Sequence, residues 1–438
     1  MLSCFAKRKY QVAPFKVGPD FIDPGHHTKI VGRISYNLDS WMLSRAYNKD
    51  LFQKKASDAD IAVIEGVMGL FDGYDGLSEA GSTAQMAKWL NLPVILIVNA
   101  KGTARSAAAI VKGFEAFDKD LNICGVIFTQ TGSRRHYKYL KKAVMQNCNT
   151  PCLGHFPKND AVKMPERHLG LVTAQERVVS EDKLFVLRDM VETHIDIPAL
   201  INRIVPVNFE KQKAKKVSDD FRQGPAIAVA RDAAFCFYYP DNFEILENAG
   251  AKIVEFSPIK DVRLPDDIDG IYLGGGYPEV FAEGLSKNSS LLADIKKKSD
   301  DHMPIYGECG GFMFLCSALS GMDDSQMYTM TGCFDFNVQM SKRLRSLGYR
   351  EITLMQDTVI GKKGDVIRGH EFHYSALEND HDQKSVYQVT SRSGQQISLK
   401  GYQKKQTLGS YLHIHFGSNP SCAGYFVDTC LKYKESKY

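Results

Sequence analysis

The stretch "PIYGECGGFMFLC" (304–316) reads as a short apolar strand, a sharp turn and the start of a helix. Cys309 sits on the turn, between Glu308 and two glycines. A strand that feeds a helix through such a turn belongs to an α/β layer architecture. It also exposes the turn residue at the strand's C-terminal end, the geometry of a nucleophile elbow. Gly310 and Gly311 let backbone approach a bound carbonyl closely, and nearby N–H donors favour a thiolate. The other reading of Cys309 is one more buried thiol, and neighbouring sequence has to decide between them.

Two stretches bear on that choice. A thiolate nucleophile needs a base, and "GSYLHIHF" (409–416) offers His413 and His415 at strand spacing. Residues two apart on a strand share a face, so both are expected to point at one site. "LGGGYPE" (273–279) is a glycine-rich strand end. The backbone N–H groups of Gly274, Gly275 and Gly276, with Gly310, are candidates for an oxyanion hole. The combination of a turn-borne Cys, a Gly-rich strand end and a late His favours chemistry over packing.

Upstream, apolar strands alternate with helical stretches. "KYQVAPFKVG" (9–18), "DIAVIEGVMGLFDG" (60–73), "LPVILIVNAKG" (92–102) and "LNICGVIFTQTG" (121–132) read as buried strands running into loops. "AGSTAQMAKWLN" (80–91) and "SAAAIVKGFEAF" (106–117) read as helices between them. That alternation predicts a parallel sheet covered on both faces, with ligands at the C-terminal strand ends. "NFEKQKAKKVSDDFRQGP" (208–225) is highly charged and reads as a linker. It divides the chain into a first domain, 1–207, and a second, 226–438, where "AIAVARD" (226–232) restarts a strand–helix alternation.

Several acidic residues fall at strand ends of the first domain. "FKVGPDFIDPGHHT" (15–28) carries Lys16, Asp20 and Asp23; "NLDSWML" (37–43) adds Asp39, and "VIEGVMGLFDG" (63–73) adds Glu65 and Asp72. The aspartates could bind a metal, position a substrate or cap turns. Carboxylates converging at one sheet end suggest Mg²⁺ with phosphate chemistry.

Composition narrows the classes. The 438 residues carry a net charge of +4, with 44% hydrophobic and 24% charged residues, a globular profile that suggests neither nucleic acid nor an anionic membrane as partner. No apolar run is long enough to span a bilayer, and "MLSCFAKRKYQVAPF" (1–15) has too short an apolar stretch for a signal peptide. The ten scattered cysteines fit a reducing compartment, so a cytoplasmic location is expected. Cys148 and Cys152 lack a second pair at zinc spacing and read as structural.

On these motifs the second domain resembles a class I glutamine amidotransferase domain of the cobyric-acid-synthase type, which is flavodoxin-like. "MSKRLRSLGYREITL" (340–354) and "IRGHEFHYSAL" (367–377) resemble signatures of the cobyrinic acid a,c-diamide synthase family. "PFKVGPDFIDPGHH", "NLDSWML", "VIEGVMGLFDG" and "MPERHLGLV" (164–172) resemble that family's synthetase domain, a P-loop NTPase relative that shares its fold with dethiobiotin synthetase. The resemblance covers nearly the whole chain in order. It implies Cys309 as nucleophile, His413 as its base, Lys16 as a phosphate contact, Asp39 and Glu65 as Mg²⁺ ligands, and the Asp20–Asp23 loop facing substrate carboxylates. His370, Glu371 and His373 either line an ammonia route or domain interface, or form an ordinary polar strand. ATP, Mg²⁺, glutamine and a corrinoid, cobyrinate, are the implied small molecules; a homodimer is an assembly left open.

Three departures accompany the resemblance. Most class I glutaminases place an orienting glutamate two residues after the histidine. Here His415 stands in that place, and what orients His413 is left open. Ile34, Tyr36 and Thr129 replace residues usual in the family. Finally, no G-x-x-x-x-G-K-[ST] occurs, and "GKKG" (361–364) has the wrong spacing. A strand, the P-loop and half a helix are expected ahead of Met1, lost through a late start codon or a truncated gene. A chain so shortened would bind ATP weakly. The implied reaction is ATP- and glutamine-dependent amidation of the a and c acetate side chains of cobyrinate. The alternatives are the same amidation of Ni-sirohydrochlorin or hydrogenobyrinate, and a remnant with glutaminase activity only.

Overall fold

In a computed structural model, the structure describes residues 1–73, 75–163, 166–167, 170–171, 173–175, 179–204, 206–207, 224–321, 326–378, 380 and 383–437. The expected linker at 208–225 lies outside these, apart from its last two residues, as does most of "MPERHLGLV". The chain divides into two compact units. The first comprises Met1–Glu166 and Arg177–Lys213, the second Arg167–Glu176 and Ala214–Tyr438.

The first unit runs α1 (Leu2–Lys7), β1 (Val12–Val17), α2 (Ile22–Val31), β2 (Tyr36–Leu38), α3 (Arg45–Ala56), β3 (Ile61–Glu65), α4 (Thr83–Leu90), β4 (Val94–Asn99), α5 (Ser106–Phe117), β5 (Ile123–Thr131), α6 (Arg134–Asn147) and β6 (Cys152–Pro157). Two short paired strands, β7 (Glu166–Arg167) and β8 (Gly170–Leu171), start at the first unit's boundary and lie in the second unit from Arg167, and the first unit resumes with α7 (Glu181–His194) and α8 (Ile197–Ile201). The helices start where the sequence supplies caps. Ser44, Ser82, Ser133 and Ser180 each accept a hydrogen bond from the N–H three residues on.

All pairings in β1–β6 are parallel, as the alternation predicts. They form two three-stranded sheets, β2-β1-β3 and β4-β5-β6, and no ladder joins β3 to β4 among the described residues. A cavity of ≈ 470 Å³ is lined by side chains from both, including Val63, Ile64, Ile95 and Ile97, with Met1 and Leu2 of α1. Ile97, mid-strand and apolar, is 58% exposed. The sequence reads these strands as buried because it shows their composition, not their neighbours.

The second unit begins with β9 (Ala226–Ala230), α9 (Pro240–Asn248), β10 (Lys252–Phe256), β11 (Gly270–Leu273), α10 (Ala282–Lys287), α11 (Ser289–Asp300), β12 (Ile305–Glu308) and α12 (Gly310–Leu315). Next come β13 (Ala318–Ser320), β14 (Met327–Thr329), β15 (Asn337–Met340), β16 (Ser346–Leu354), β17 (Val366–His373) and β18 (Ser375–Glu378). The chain closes with β19 (Tyr387–Ser391), β20 (Gln396–Ile397), β21 (Gly401–Lys404), β22 (Thr407–Ser410), β23 (Leu412–Ile414) and α13 (Pro420–Glu435).

The central sheet has the order β10-β9-β11-β12-β22-β21, parallel except for its edge pair β21–β22. Alternate residues fill two separate cores. Ala228, Ile271 and Ile305 belong to one, Ile227, Tyr272 and Tyr306 to the other, as period-2 strands buried on both faces require. A second sheet, β20-β19-β16-β17-β23, is antiparallel. It ends on the strand that carries His413, so β12, β22 and β23 bring Cys309 and His413 into one neighbourhood.

Close docking of α7's end on β6 depends on Gly154. A Cβ there would stand 2.2 Å from the His194 carbonyl oxygen and 2.8 Å from Ile195 Cα. Gly154→Ala is therefore expected to destabilise the first unit by about 1–3 kcal/mol through overpacking. Urea unfolding checks this, and an unchanged midpoint would sink it.

Candidate functional site

Cys309 adopts φ 44°, ψ −103°, outside the regions open to ordinary L-residues. The surroundings hold it there. Its N–H donates to the Ser410 carbonyl at 2.8 Å, and its own carbonyl accepts from Met313 N at 2.9 Å. Gly311 packs so closely on β11 that a Cβ would lie 2.1 Å from the Leu273 oxygen. A Cβ on Gly310 would sit 2.9 Å from Pro278 Cδ and 3.0 Å from Gly276 N. The glycines thus allow the turn to seat, as the sequence suggests, though α12 spans only six residues.

The thiol is buried, and Sγ lies 3.9 Å from the Phe372 carbonyl oxygen of β17. Burial pushes its pKa well up, the carboxylates of Glu279, Glu308 and Glu371 push the same way, and the Gly310 N–H opposes them. Without a substrate or a cationic partner, Cys309 is a thiol.

His413 is buried on β23, opposite His370 of β17. The two imidazoles stack at 4.9 Å. A Cβ on Gly275 would fall 2.2 Å from His413 Cε1, so this glycine is what admits the ring. His413 Nδ1 lies 3.8 Å from Glu308 Oε2, and Glu308 Oε1 accepts from Tyr306 Oη (2.9 Å) and Ile414 N (3.2 Å).

His415 is not brought to the same place. It follows β23, its Nδ1 accepts from Gly417 N at 3.0 Å, and its Nε2 lies 3.2 Å from Asp241 Oδ2. The strand ends at Ile414, so the expected shared face does not extend that far. His370 pairs with Tyr239 Oη at 2.8 Å, and burial together with His413 and His415 holds its pKa well below the usual range. Glu371 joins Arg350 Nε (2.8 Å) to His373 Nε2 (2.9 Å), and His373 stacks on Tyr411 at 3.9 Å.

Of the four candidate oxyanion glycines, two have their N–H groups engaged within the protein. Gly274 N donates to Tyr238 Oη at 2.8 Å and Gly275 N to the Phe237 carbonyl at 3.2 Å. Gly276 and Gly310 lie against each other, and the Gly310 N–H bonds to the Cys309 sulfur. The sequence alone does not separate these roles, because neither Tyr238 nor Phe237 is near the glycines in sequence.

In the first unit, Lys16, one residue before the end of β1, is level with Glu65 of β3. Its Nζ lies 2.6 Å from Asp23 Oδ2, 3.2 Å from Glu65 Oε1 and 3.6 Å from Asp20 Oδ2. His27, which the sequence alone does not single out, closes the cluster at 2.7 Å from Glu65 Oε2. Asp20 Oδ1 also caps α2 through Ile22 N. Asp39 and Asp72 are not seen in this cluster. Asp39 Oδ1 accepts from Trp41 N and Met42 N, a turn cap, and Asp72 Oδ2 accepts from Gly69 N. Asp39 and Glu65 thus engage different partners, and among the described residues no group of three or more His, Cys, Asp or Glu is placed to hold a metal.

Comparison with known proteins adds the family context. The model of the CobB/CobQ-like glutamine amidotransferase domain matches residues 226–421, and that of the CobQ/CobB/MinD/ParA nucleotide-binding domain matches residues 1–172. A cobyrinate a,c-diamide synthase of Caldanaerobacter subterraneus subsp. tengcongensis is 42% identical over 433 residues, 97% of this chain and 93% of that protein. Those of Leptospira interrogans (40% over 435 residues, 97% and 93%) and Priestia megaterium (39% over 442 residues, 100% and 94%) align over similar spans. No helix among the described residues is long and apolar enough to cross a membrane.

Burial, then the adjacent Asp23 charge, pushes the Asp20 carboxyl up to about 6. An acid whose folded pKa lies above its unfolded value binds its proton more tightly when folded, so its ionisation removes stability as pH rises from about 4 to about 6. Asp20→Asn keeps an oxygen for Ile22 N–H and removes the charge. The variant should match the parent below pH ~4 and exceed it by about 1–3 kcal/mol at pH ~7. Urea unfolding at both pH values tests this; a pH-independent difference would refute it.

Proposed function

The chain belongs to the cobyrinate a,c-diamide synthase family, and we propose that it converts the a and c acetate side chains of cobyrinate to amides, with glutamine as nitrogen donor and ATP as energy source. The observation that carries this reading is identity of about 40% to cobyrinate synthases over essentially the whole chain. The three relatives named above are cobyrinate enzymes, which favours cobyrinate over a nickel tetrapyrrole.

In the amidotransferase unit, glutamine binds beside Cys309. His413 takes the thiol proton as the sulfur attacks the side-chain amide carbon, forming a C–S bond. Gly276 and Gly310 N–H groups are the proposed donors to the oxyanion. The C–N bond then breaks, His413 returns the proton, and ammonia leaves. Water hydrolyses the thioester, releasing glutamate and restoring the thiol. Because burial and three carboxylates oppose a free thiolate, proton transfer to His413 has to accompany substrate binding and attack. That favours a site idle until glutamine is in place.

In the nucleotide-binding unit, ATP enters as substrate with Mg²⁺, which would offset the charge of the phosphates. A substrate carboxylate takes the γ-phosphoryl group and ADP leaves. Ammonia displaces phosphate from the acyl phosphate and gives the amide. Lys16 is the proposed phosphate contact, with Asp20 and Asp23 facing the substrate. Lys16 is already held by three carboxylates, so a phosphate would have to compete for it. For Asp39 and Glu65 to act as metal ligands, Glu65 would have to leave both Lys16 and His27, and no step is assigned to them.

Glutamate release by the purified chain tests the proposal, with and without MgATP and cobyrinate. Cys309→Ala is expected to abolish it, a loss of at least about 10⁴-fold in kcat, and release by the parent should be coupled to ADP and diamide formation. Glutaminase activity that survives in Cys309→Ala would remove Cys309 from the reaction.

A further inference from the structure

The family's histidine lacks the glutamate that orients it in most class I glutaminases, and that place is held by His415, turned toward Asp241 and Gly417. A carboxylate nevertheless reaches His413 from elsewhere. Glu308 immediately precedes the nucleophile, is 2% exposed, and presents Oε2 to His413 Nδ1 at 3.8 Å. Its other oxygen accepts from the main-chain N–H of Ile414 and from Tyr306 Oη. One carboxylate thus holds the backbone N–H beside His413 and faces its ring.

This placement is costly unless it serves the histidine. A buried carboxylate loses hydration that its donors must replace. It also stands next to a thiol that has to become a thiolate, and like charge opposes that step. The cost is offset if the charge stabilises the imidazolium formed when His413 takes the thiol proton. At 3.8 Å the contact is an ion-pair distance, longer than a hydrogen bond, and such contacts tighten in the substrate complex. With Nδ1 toward Glu308, Nε2 is the ring nitrogen that remains to take the proton of Cys309.

Resting on the proposed roles of Cys309 and His413, we infer that Glu308 is the positioning residue for His413, fixing its tautomer and stabilising its protonated form from the nucleophile's own strand. The carboxylate of the triad has moved from two residues after the histidine to one residue before the cysteine.

A double-mutant cycle on the full chain tests this, reading kcat and KM for glutamine. Glu308→Gln should lower kcat by about 10²–10⁴-fold, the range for loss of an orienting carboxylate, with KM changed by less than about threefold. His413→Asn should lower kcat at least as far. In the His413→Asn background, Glu308→Gln should cost no further activity, because a residue acting through another has nothing left to act on. Equal losses in both backgrounds, or a Glu308→Gln enzyme within about threefold of the parent, overturn the inference. Should Glu308→Gln not fold, the parent decides alone. Nitrogen-15 spectra of labelled histidines must show neutral His413 as the Nδ1–H tautomer, its signals identified by their loss in His413→Asn; the Nε2–H tautomer overturns the inference. A Cys309→Ala chain that still releases glutamate refutes the functional reading itself, whereas an inactive Cys309→Ala with an additive cycle refutes only the role of Glu308.

Discussion

The backbone of Cys309 is the constraint on which the second unit is built. A non-glycine residue at positive φ in this region costs on the order of 1–3 kcal/mol and persists only where its surroundings over-determine it. Here they do. Ser410 of the neighbouring strand takes its N–H, α12 takes its carbonyl, and glycines on both sides bring α12 and the 274–276 strand end against it. The same β22 that supplies Ser410 runs directly into β23. The strand that pins the cysteine therefore also fixes where the histidine begins.

The sequence was most legible where one residue type can fill a geometric need. Strand, turn and helix around Cys309 follow from apolar period and glycine placement, as does the alternation of the first unit. Strand spacing offers His413 and His415 alike, and only the family resemblance singles out His413. Legibility stopped where a role depends on a partner distant in the chain. Glu308 is visible in "YGECGG", but its purpose depends on His413, more than a hundred residues away. Gly274 and Gly275 read like donors until Tyr238 and Phe237 are seen to occupy their N–H groups. Asp39 reads like a ligand, whereas locally it caps its own turn.

The two candidate sites use charge in opposite ways. Around Cys309, burial first and then the carboxylates of Glu279, Glu308 and Glu371 push the thiol pKa up. Around Lys16, three carboxylates compete for one ammonium, and Asp20, the one farthest from Nζ, yields by titrating nearer neutrality. In both, burial comes first and neighbouring charge second in making the charged form expensive.

The seam between β3 and β4 bears on how the first unit comes apart. Within each three-stranded half, backbone ladders couple neighbouring strands directionally. Across the seam, the described residues offer apolar contact and a cavity instead. Apolar contact has no register to lose, so one half can open while the other keeps its hydrogen bonds. Amide exchange in this unit should follow two local openings of differing free energy rather than a single global one, in contrast to the continuous six-stranded sheet around the cysteine.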